Sequence, residues 1–237
     1  MDIMRTLTYV FDDRDWVSKV GITAIITALS IVLTPLFVGL LGWVALAGYT
    51  VELVRNVRLG VRDPLPRWDD FNRYLSSGFQ VLTAVIVYSL PNIVLGCVSS
   101  FLTQNMSSGL IGSTLVLAFS CCLFPILLIY NLVTVPTLAI GLGRYTEDPR
   151  INVFFEFSFL FETLRQHLDK VLQFWLGAIV IDIVFFICAV IPVVGWIVLV
   201  ALLVPVYGML TGRFVLTILG GLKSKPQPPP PAPVYRR

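Results

Sequence analysis

Charged side chains are scarce in this chain. Asp, Glu, Lys and Arg make up 13% of its 237 residues and 57% are hydrophobic, whereas a soluble domain carries about 25% charged residues. This composition excludes an ordinary soluble domain, and its hydrophobicity excludes an intrinsically disordered chain. The four cysteines all lie within apolar stretches, which does not fit a disulfide-rich secreted domain. We expect them to be small buried hydrophobic residues, and a polytopic membrane protein remains as the class.

Catalytic and cofactor-binding motifs are also missing from the sequence. The chain has one histidine, His167, and it has no GxSxG, HExxH or phosphate-binding glycine loop. No histidine or cysteine has the spacing of metal ligands. The net charge of +3 is not gathered into one basic stripe, which argues against nucleic acid. We therefore predict a non-enzymatic protein with no catalytic residues, no cofactor, no metal ion and no nucleic-acid partner.

Three long apolar blocks are what the sequence does have. They cover residues 20–51, 76–143 and 171–212, and the one charge within them is Asp182. A membrane crossing needs roughly 20 residues, so each block is long enough for more than one helix. Arginine and lysine cluster in the segments between and outside the blocks, and the positive-inside rule places all these segments in the cytoplasm. Each block is therefore predicted to be a helical hairpin.

The predicted fold is an all-α polytopic membrane protein with about six transmembrane helices in three hairpins. The helices are expected at about 17–34, 36–56, 78–100, 110–140, 171–190 and 193–219, in a single transmembrane domain over 1–222. Turns are expected near Pro35, through residues 99–109 and near Pro192, because proline breaks the helical hydrogen-bond ladder. The first hairpin is short, so Pro35 is either its turn or a kink in one long helix.

Two further segments are predicted to be amphipathic helices in the cytoplasmic interface. One is 151–170, and the other is 2–14. In the first, apolar residues recur at helical spacing at Phe154, Phe157, Phe161, Leu164 and Leu168. The proline-rich segment 223–237 is expected to be a disordered cytoplasmic tail, with a docking peptide as the alternative.

Asp182 is the sharpest single feature of the apolar blocks. A carboxylate at membrane depth costs at least about 2.5 kcal/mol on insertion scales and by default marks a functional site. The alternatives are a protonated Asp bonded to a neighbouring helix, or a position nearer the interface. Asn131 and Asn92 also lie in apolar stretches. They complete the candidate intramembrane polar site, with Thr134 as a further neighbour.

Glu52 and Arg55 lie three residues apart near the end of the second predicted helix. Side chains at this spacing are neighbours on a helix surface. We predict an ion pair at the membrane edge with a structural role.

The cytoplasmic loop 60–78 is the second candidate site, for lipid or for a protein partner. Its candidate residues are Arg62, Pro66, Arg67, Trp68, Asp69, Asp70 and Arg73. Trp68 and Phe71 are expected to anchor at the headgroup level, and the arginines are expected to meet anionic lipid. Asp69 is expected to cap a short helix that begins near Asp70. The loop is either a membrane-hugging segment or a docking site for a cytoplasmic partner.

The order of residues around this loop resembles a known family. A Gly-Tyr pair, a glycine, the run Leu-Pro-x-Trp-Asp-Asp and a final glycine occupy Gly48, Tyr49, Gly60, Leu65, Pro66, Trp68, Asp69, Asp70 and Gly78. This order resembles the prokaryotic membrane-protein family named Domain of Unknown Function 4013, over about residues 5–220. The resemblance implies a multi-pass protein of a bacterial or archaeal cell membrane and supplies no catalytic residues. With the charge placement, it predicts a prokaryotic inner-membrane protein with both termini in the cytoplasm.

Two function classes fit these features. The first is an accessory or scaffold protein that binds lipid or a membrane protein complex, and it rests on the interfacial segments and the proline-rich tail. The alternative is a small transporter or carrier that uses Asp182 and the proline-broken helices. The expected partners are membrane lipids, with a membrane protein complex or a homo-oligomer as further candidates.

Overall fold

The computed structural model describes residues 3–106, 109–191 and 194–222, and its regular structure over these ranges is helical. The α-helices are α1 Ile3–Asp12, α2 Trp16–Leu33, α3 Gly39–Arg58, α4 Phe71–Met106, α5 Leu110–Tyr145, α6 Phe157–Gln166, α7 Leu168–Ala189 and α8 Val194–Leu219. Two short 3-10 turns cover Thr34–Leu36 and Ile151–Phe154. The predicted all-α fold is confirmed. The predicted turn at Pro192 and the predicted tail 223–237 lie outside the described residues.

Five helices in the described ranges are long and apolar enough to cross a membrane. They are α2, α4, α5, α7 and α8. The predicted number of crossings was six. Helix α3 is the predicted crossing that is not apolar enough to be counted, since it carries Glu52, Arg55 and Arg58. The chain is therefore an apolar helical protein suited to a membrane, and the sixth crossing stays a prediction.

The chain turns back on itself at Pro35. A single 3-10 turn follows α2, and Phe37 then takes a positive φ of 60°. The returning helix α3 packs closely on α2, because a Cβ added at Gly42 would lie 1.9 Å from the Ser30 Oγ. The indole N–H of Trp43 donates to the Thr34 hydroxyl across the turn, at 3.0 Å. Pro35 is therefore a hairpin turn and not a kink.

The polar ends of most helices meet at one end of the bundle, which we call the charged end. The guanidinium of Arg58, at the end of α3, donates to the carbonyls of Gly143 in α5 and Gly220 after α8, at 2.7 and 3.1 Å. The loop before α4 reaches the start of α2, where the Trp68 indole donates to the Thr23 hydroxyl at 3.1 Å. The ends of α3, α5 and α8 and the starts of α2 and α4 therefore share this end.

The core lies around α3 and α8. Their fully buried side chains include Tyr49, Leu53, Phe214 and Leu210. Leu210 and Phe214 belong to a buried cluster that includes side chains of α7. Tyr49 and Leu53 belong to a second cluster that includes the start of α2.

Helices α4 and α5 are much longer than the core that they flank. Each has 36 residues, about 54 Å at ~1.5 Å per residue. Helix α4 begins at Phe71 instead of the predicted 78, and α5 continues to Tyr145 instead of 140. No residue of the most apolar stretch of α5 is buried. Cys97, Cys121 and Cys122 are exposed on this hairpin, so the expectation that the cysteines are buried was wrong there.

The predicted amphipathic helix over 151–170 is broken into three pieces. A 3-10 turn ends at Phe154, α6 runs from Phe157 to Gln166, and His167 separates α6 from α7. The expected apolar line is therefore not one face, since Phe154 is 1% exposed but Phe157 is 53% exposed. The prediction failed because it assumed one continuous helical period, whereas the helix is interrupted between Phe154 and Phe157 and again at His167.

Helix α1 packs on the bundle through its second half. Tyr9 and Val10 are buried, and the Tyr9 hydroxyl donates to the Pro205 carbonyl of α8 at 2.8 Å. Phe11 stays 52% exposed. The helix predicted within 2–14 therefore forms, with its contacts directed at α8.

Candidate functional site

Two glycines bring α3 and α4 into direct backbone contact. A Cβ at Gly78 would lie 1.8 Å from the carbonyl oxygen of Val44, and one at Gly48 would lie 2.0 Å from the carbonyl oxygen of Tyr74. Helices in membranes approach this closely where small residues face each other. These two glycines of the family-like motif therefore fix the crossing of α3 and α4, from which the loop and the clefts around it are built.

Trp68 is a packing residue of the charged end. Its ring stacks on Tyr49 at a centroid distance of 4.9 Å and meets Tyr74 edge-on at 5.3 Å. Its indole N–H donates to the Thr23 hydroxyl, and the nearby Pro66 is buried. The expected headgroup anchor at Trp68 was therefore wrong, because the loop folds inward onto α2 and α3. Phe71 does stay 47% exposed, as expected.

The helix start after the loop also differs from expectation. Asp70, and not Asp69, caps the following helix, since its Oδ1 accepts the Arg73 backbone N–H at 3.3 Å. That helix is the long α4 instead of a short separate one. Both carboxylates are exposed, so the cap sits at the protein surface.

Arg62 and Arg67 line two separate clefts, which share Asp63 in their walls. Arg62 faces a cleft of about 560 Å³ beside α1 and α8. Arg67 faces a second cleft, of about 620 Å³, and lies 3.8 Å from Asp15. In both clefts acidic and basic side chains are mixed, so neither has a clear preference for one sign of ligand charge.

A third and larger opening lies between α3, α4 and α5, and we call it the arginine cleft. Its volume is about 900 Å³. Arg55 and Glu52 of α3, Arg73 and Gln80 of α4, and Glu147 after α5 contribute polar walls. The predicted pair of Glu52 and Arg55 is present at 3.8 Å, and Arg73 joins it at 2.9 Å.

The arginine cleft has a surplus of positive charge. Glu147 is held by the buried guanidinium of Arg58, which leaves Arg55 and Arg73 facing the single carboxylate of Glu52. The 3.8 Å separation is too long for a strong hydrogen bond, so the Arg55 guanidinium keeps donors for a ligand. Both arginine side chains are nearly half exposed. The arrangement suits one singly charged anion.

Arg58 is a residue that the sequence analysis missed. Its side chain is 1% exposed and bonds to Gly143, Gly220, Thr146 and Glu147. In the sequence it was one of five arginines around the same loop, and no local signal separated it from the others. Arg58 ties α3, α5 and the end of α8 together, and it holds Thr146 and Glu147, which line the arginine cleft.

A buried ion pair at the start of α2 was also missed. Lys19 Nζ lies 2.6 Å from Asp13 Oδ2, and both side chains are under 10% exposed. Thr23, Thr27 and Ser30 continue the same inward face of α2. Their spacing of three to four residues was visible in the sequence and could have marked this face as the buried one.

The three residues of the candidate intramembrane site lie in two places. Asp182 is exposed on α7 and accepts a hydrogen bond from the Tyr207 hydroxyl of α8. Asn92 and Asn131 exchange two amide hydrogen bonds between α4 and α5, at 3.0 and 3.2 Å. Thr134 is buried on α5. The structure therefore pairs the asparagines with each other and gives Asp182 a different partner.

Tyr9 and Asp148 are ionisable groups outside the candidate spans that have shifted pKa values. Burial raises the pKa of the Tyr9 phenol well above its ordinary value, so its hydroxyl remains a donor to Pro205. A hydrogen bond from Arg150 lowers the pKa of the Asp148 carboxyl in the exposed loop after α5. Both groups therefore keep their usual charge state at neutral pH.

The comparisons with known proteins give a family without an assigned activity. The family model described as "Protein of unknown function (DUF4013)" matches residues 28–200. No curated protein and no solved structure matches the chain. The matched range contains the crossing glycines, the loop and the arginine cleft up to Glu147. Because the match covers most of the chain, this protein belongs to the DUF4013 family of proteins of unknown function.

Proposed function

We propose that this protein is a non-enzymatic accessory protein of the prokaryotic cell membrane, and that it binds anionic lipid headgroups in the arginine cleft. One observation carries the proposal: two half-exposed guanidiniums face a single carboxylate in a cleft of about 900 Å³. A phosphodiester has one negative charge and accepts hydrogen bonds from arginine in a fork geometry. The surplus of one positive charge matches that ligand.

The topology that goes with this proposal has six crossings, with α3 as the sixth. This topology is supported by the charged end, where the ends of α3 and α5 meet the start of α4. Two antiparallel hairpins, α2–α3 and α4–α5, produce this arrangement. We place the charged end in the cytoplasm because arginine-rich segments stay on that side. Maleimide labelling of a cysteine-free chain carrying Asp63→Cys or Phe37→Cys tests it, and opposite sidedness of these two positions is expected.

A non-enzymatic role is supported by how the polar groups of the cleft are used. The Ser77 hydroxyl donates to the Arg73 carbonyl at 2.9 Å, and Thr146 is bonded to Arg58. Away from the cleft, Nδ1 of the half-buried His167 contacts the Thr163 carbonyl at 3.0 Å. These groups hold local structure and are not arranged around a common reacting atom.

The deciding experiment compares Arg55→Gln/Arg73→Gln with the wild type. Each protein is exchanged into nanodiscs that contain phosphatidylglycerol and phosphatidylethanolamine, and bound lipid is counted by native mass spectrometry. A basic residue near anionic lipid contributes about 1 kcal/mol, so two residues correspond to a roughly thirtyfold loss of phosphatidylglycerol binding. Inorganic phosphate added as a competitor distinguishes a headgroup site from a site for free phosphate.

The matched control is Arg150→Gln/Arg165→Gln. It removes the same charge from two exposed positions outside the arginine cleft. The proposal is wrong if this control loses as much phosphatidylglycerol as the cleft variant, since general charge would then explain the binding.

The second candidate function is a small transporter or carrier. It is supported by the Asp182 carboxylate, which lies within a candidate membrane span and is bonded to Tyr207. Asp182→Asn reconstituted in liposomes tests it through proton flux and ion-linked swelling. Loss of a flux that the wild type shows, with the fold retained, favours the carrier; equal flux in both proteins removes Asp182 as its site.

A further inference from the structure

A small apolar cavity opens between α4, α5 and α6. Its volume is about 240 Å³. Val87 and Tyr88 line it from α4, Tyr130 and Thr137 from α5, and Phe161 from α6. It shares no lining residue with the arginine cleft.

Three of the four hydroxyl groups that line this cavity donate to backbone carbonyls of the protein, and the fourth belongs to Thr134. Tyr88 donates to the Phe154 carbonyl at 2.7 Å, and Tyr130 donates to the Tyr88 carbonyl at 2.8 Å. The Thr137 hydroxyl donates to the Val133 carbonyl at 2.7 Å. With these three donors engaged, the walls offer a ligand mainly aromatic rings and hydrocarbon surface, which favours a mainly apolar ligand.

The position of the cavity identifies the source of such a ligand. Val87 and Tyr130 belong to the two long candidate spans of α4 and α5. Phe157 and Phe161, on the α6 side, are more than half exposed, so the cavity opens sideways. At this depth a membrane presents hydrocarbon chains to the opening.

We propose that this cavity binds one acyl chain of a membrane lipid, held between the aromatic side chains of α6 and the α4–α5 pair. The rings of Tyr88 and Phe157 lie 5.9 Å apart, measured between their centroids. The bound acyl chain shields both rings from mobile lipid. The bound acyl chain positions α6, which lies within the segment 151–170 that was predicted to be interfacial. This inference concerns different residues from the arginine cleft and holds whether or not that cleft binds a headgroup.

The first test fills the cavity from its rim. Val87→Trp places an indole at an exposed wall position, and Ile86→Trp places the same indole at the neighbouring exposed position that does not line the cavity. The proteins are purified in mild detergent, stripped by repeated dilution and analysed by native mass spectrometry for retained phospholipid. Each excluded methylene lowers affinity roughly fourfold, so exclusion of two lowers retention about fifteenfold.

The expected result is one retained phospholipid in the wild type and in Ile86→Trp, and its loss in Val87→Trp. The difference in retention between Ile86→Trp and Val87→Trp should not change when phosphatidylglycerol replaces phosphatidylethanolamine, which separates this site from the arginine cleft. Equal retention by all three proteins, or equal loss by both tryptophan variants, overturns the proposal.

A second test uses the unaltered protein, so it does not depend on the folding of a variant. A phospholipid with a diazirine at mid-chain is irradiated in nanodiscs with the wild type, and the adducts are located by peptide mapping. Adducts concentrated on the α6 peptide with Phe157 and Phe161 support the acyl-chain site. Adducts spread evenly over exposed apolar positions, such as Phe186 and Ile197, show only general lipid contact and overturn it.

Discussion

The charged end and the outer part of the α4–α5 hairpin are built in opposite ways. At the charged end, Arg58, Lys19 and Trp68 are buried or half-buried and are bonded to partners from other elements. In the outer hairpin, Phe101 and Phe124 are 66% and 68% exposed. The difference shows where each kind of interaction is useful. Apolar side chains gain little by leaving lipid, so packing there is optional, whereas polar groups must find partners inside the protein.

The largest expected effect is at Arg58. Arg58→Met removes the donor that Gly143, Gly220 and Glu147 share. Loss of one side of a buried charged network costs about 3–5 kcal/mol, and denaturant unfolding in detergent micelles measures it. Arg150→Gln, at an exposed pair with Asp148, should leave the unfolding free energy nearly unchanged, because solvent screens exposed ion pairs. Similar losses in both variants would contradict a special role for the buried guanidinium.

The next effect concerns the crossing of α3 and α4. In Gly78→Ala the new methyl group would lie 1.8 Å from a backbone oxygen, so the helices must separate. Overpacking of this kind costs about 1–3 kcal/mol, measured as a lower thermal midpoint. Gly96→Ala on the same helix is the control, because nothing lies within 4 Å of its Cβ. It should be neutral or slightly stabilising, as alanine is the better helix former.

A smaller effect is expected from the conservative substitution at Trp68. Trp68→Phe keeps a ring against Tyr49 and removes the hydrogen bond to Thr23, for a loss of about 1 kcal/mol. Trp68→Ala removes the ring as well, for about 3–5 kcal/mol. The two unfolding free energies together separate the hydrogen bond from the packing. If Trp68→Phe lowers the unfolding free energy as much as Trp68→Ala, the stacking of the ring does not contribute to stability.

The smallest effect is expected in the outer hairpin. Asn131→Leu breaks the reciprocal amide pair with Asn92. Polar contacts between membrane helices average about 0.6 kcal/mol, so the unfolding free energy should fall by roughly that amount. A double variant with Asn92→Leu should cost no more than the single one. A loss as large as that of Arg58→Met would erase the contrast between the two regions.

Much of the fold follows from patterns along the chain. The apolar blocks, the arginine clusters and Pro35 predict the hairpin order, since each of these signals is local. The ends of α4 and α5 were misplaced because Phe71 and Tyr145 stand among polar residues, where hydropathy no longer marks a helix. The helix predicted over 151–170 failed because breaks at Phe155 and His167 carry no strong sequence signal.

The candidate site was predictable only in part. Glu52 and Arg55 were paired correctly because three-residue spacing fixes neighbours on one helix. Arg73 reaches the same carboxylate from another helix, and no spacing along the chain records that approach. The role of Trp68 was misjudged for the same reason, as its partners Tyr49 and Thr23 lie on α3 and α2.

The sequence by itself determined the class of this protein, its helical nature and the placement of positive charge at one end. Those properties depend on composition and on short-range periodicity, which any local window contains. Only the tertiary structure decided which arginine is buried, which two remain in the cleft, and how Asp182 is separated from the asparagine pair. These outcomes depend on contacts between residues far apart in the chain. The approach of Arg55 and Arg73, for example, goes with the α3–α4 crossing at Gly48 and Gly78, where a single added methyl group would move one helix against the other.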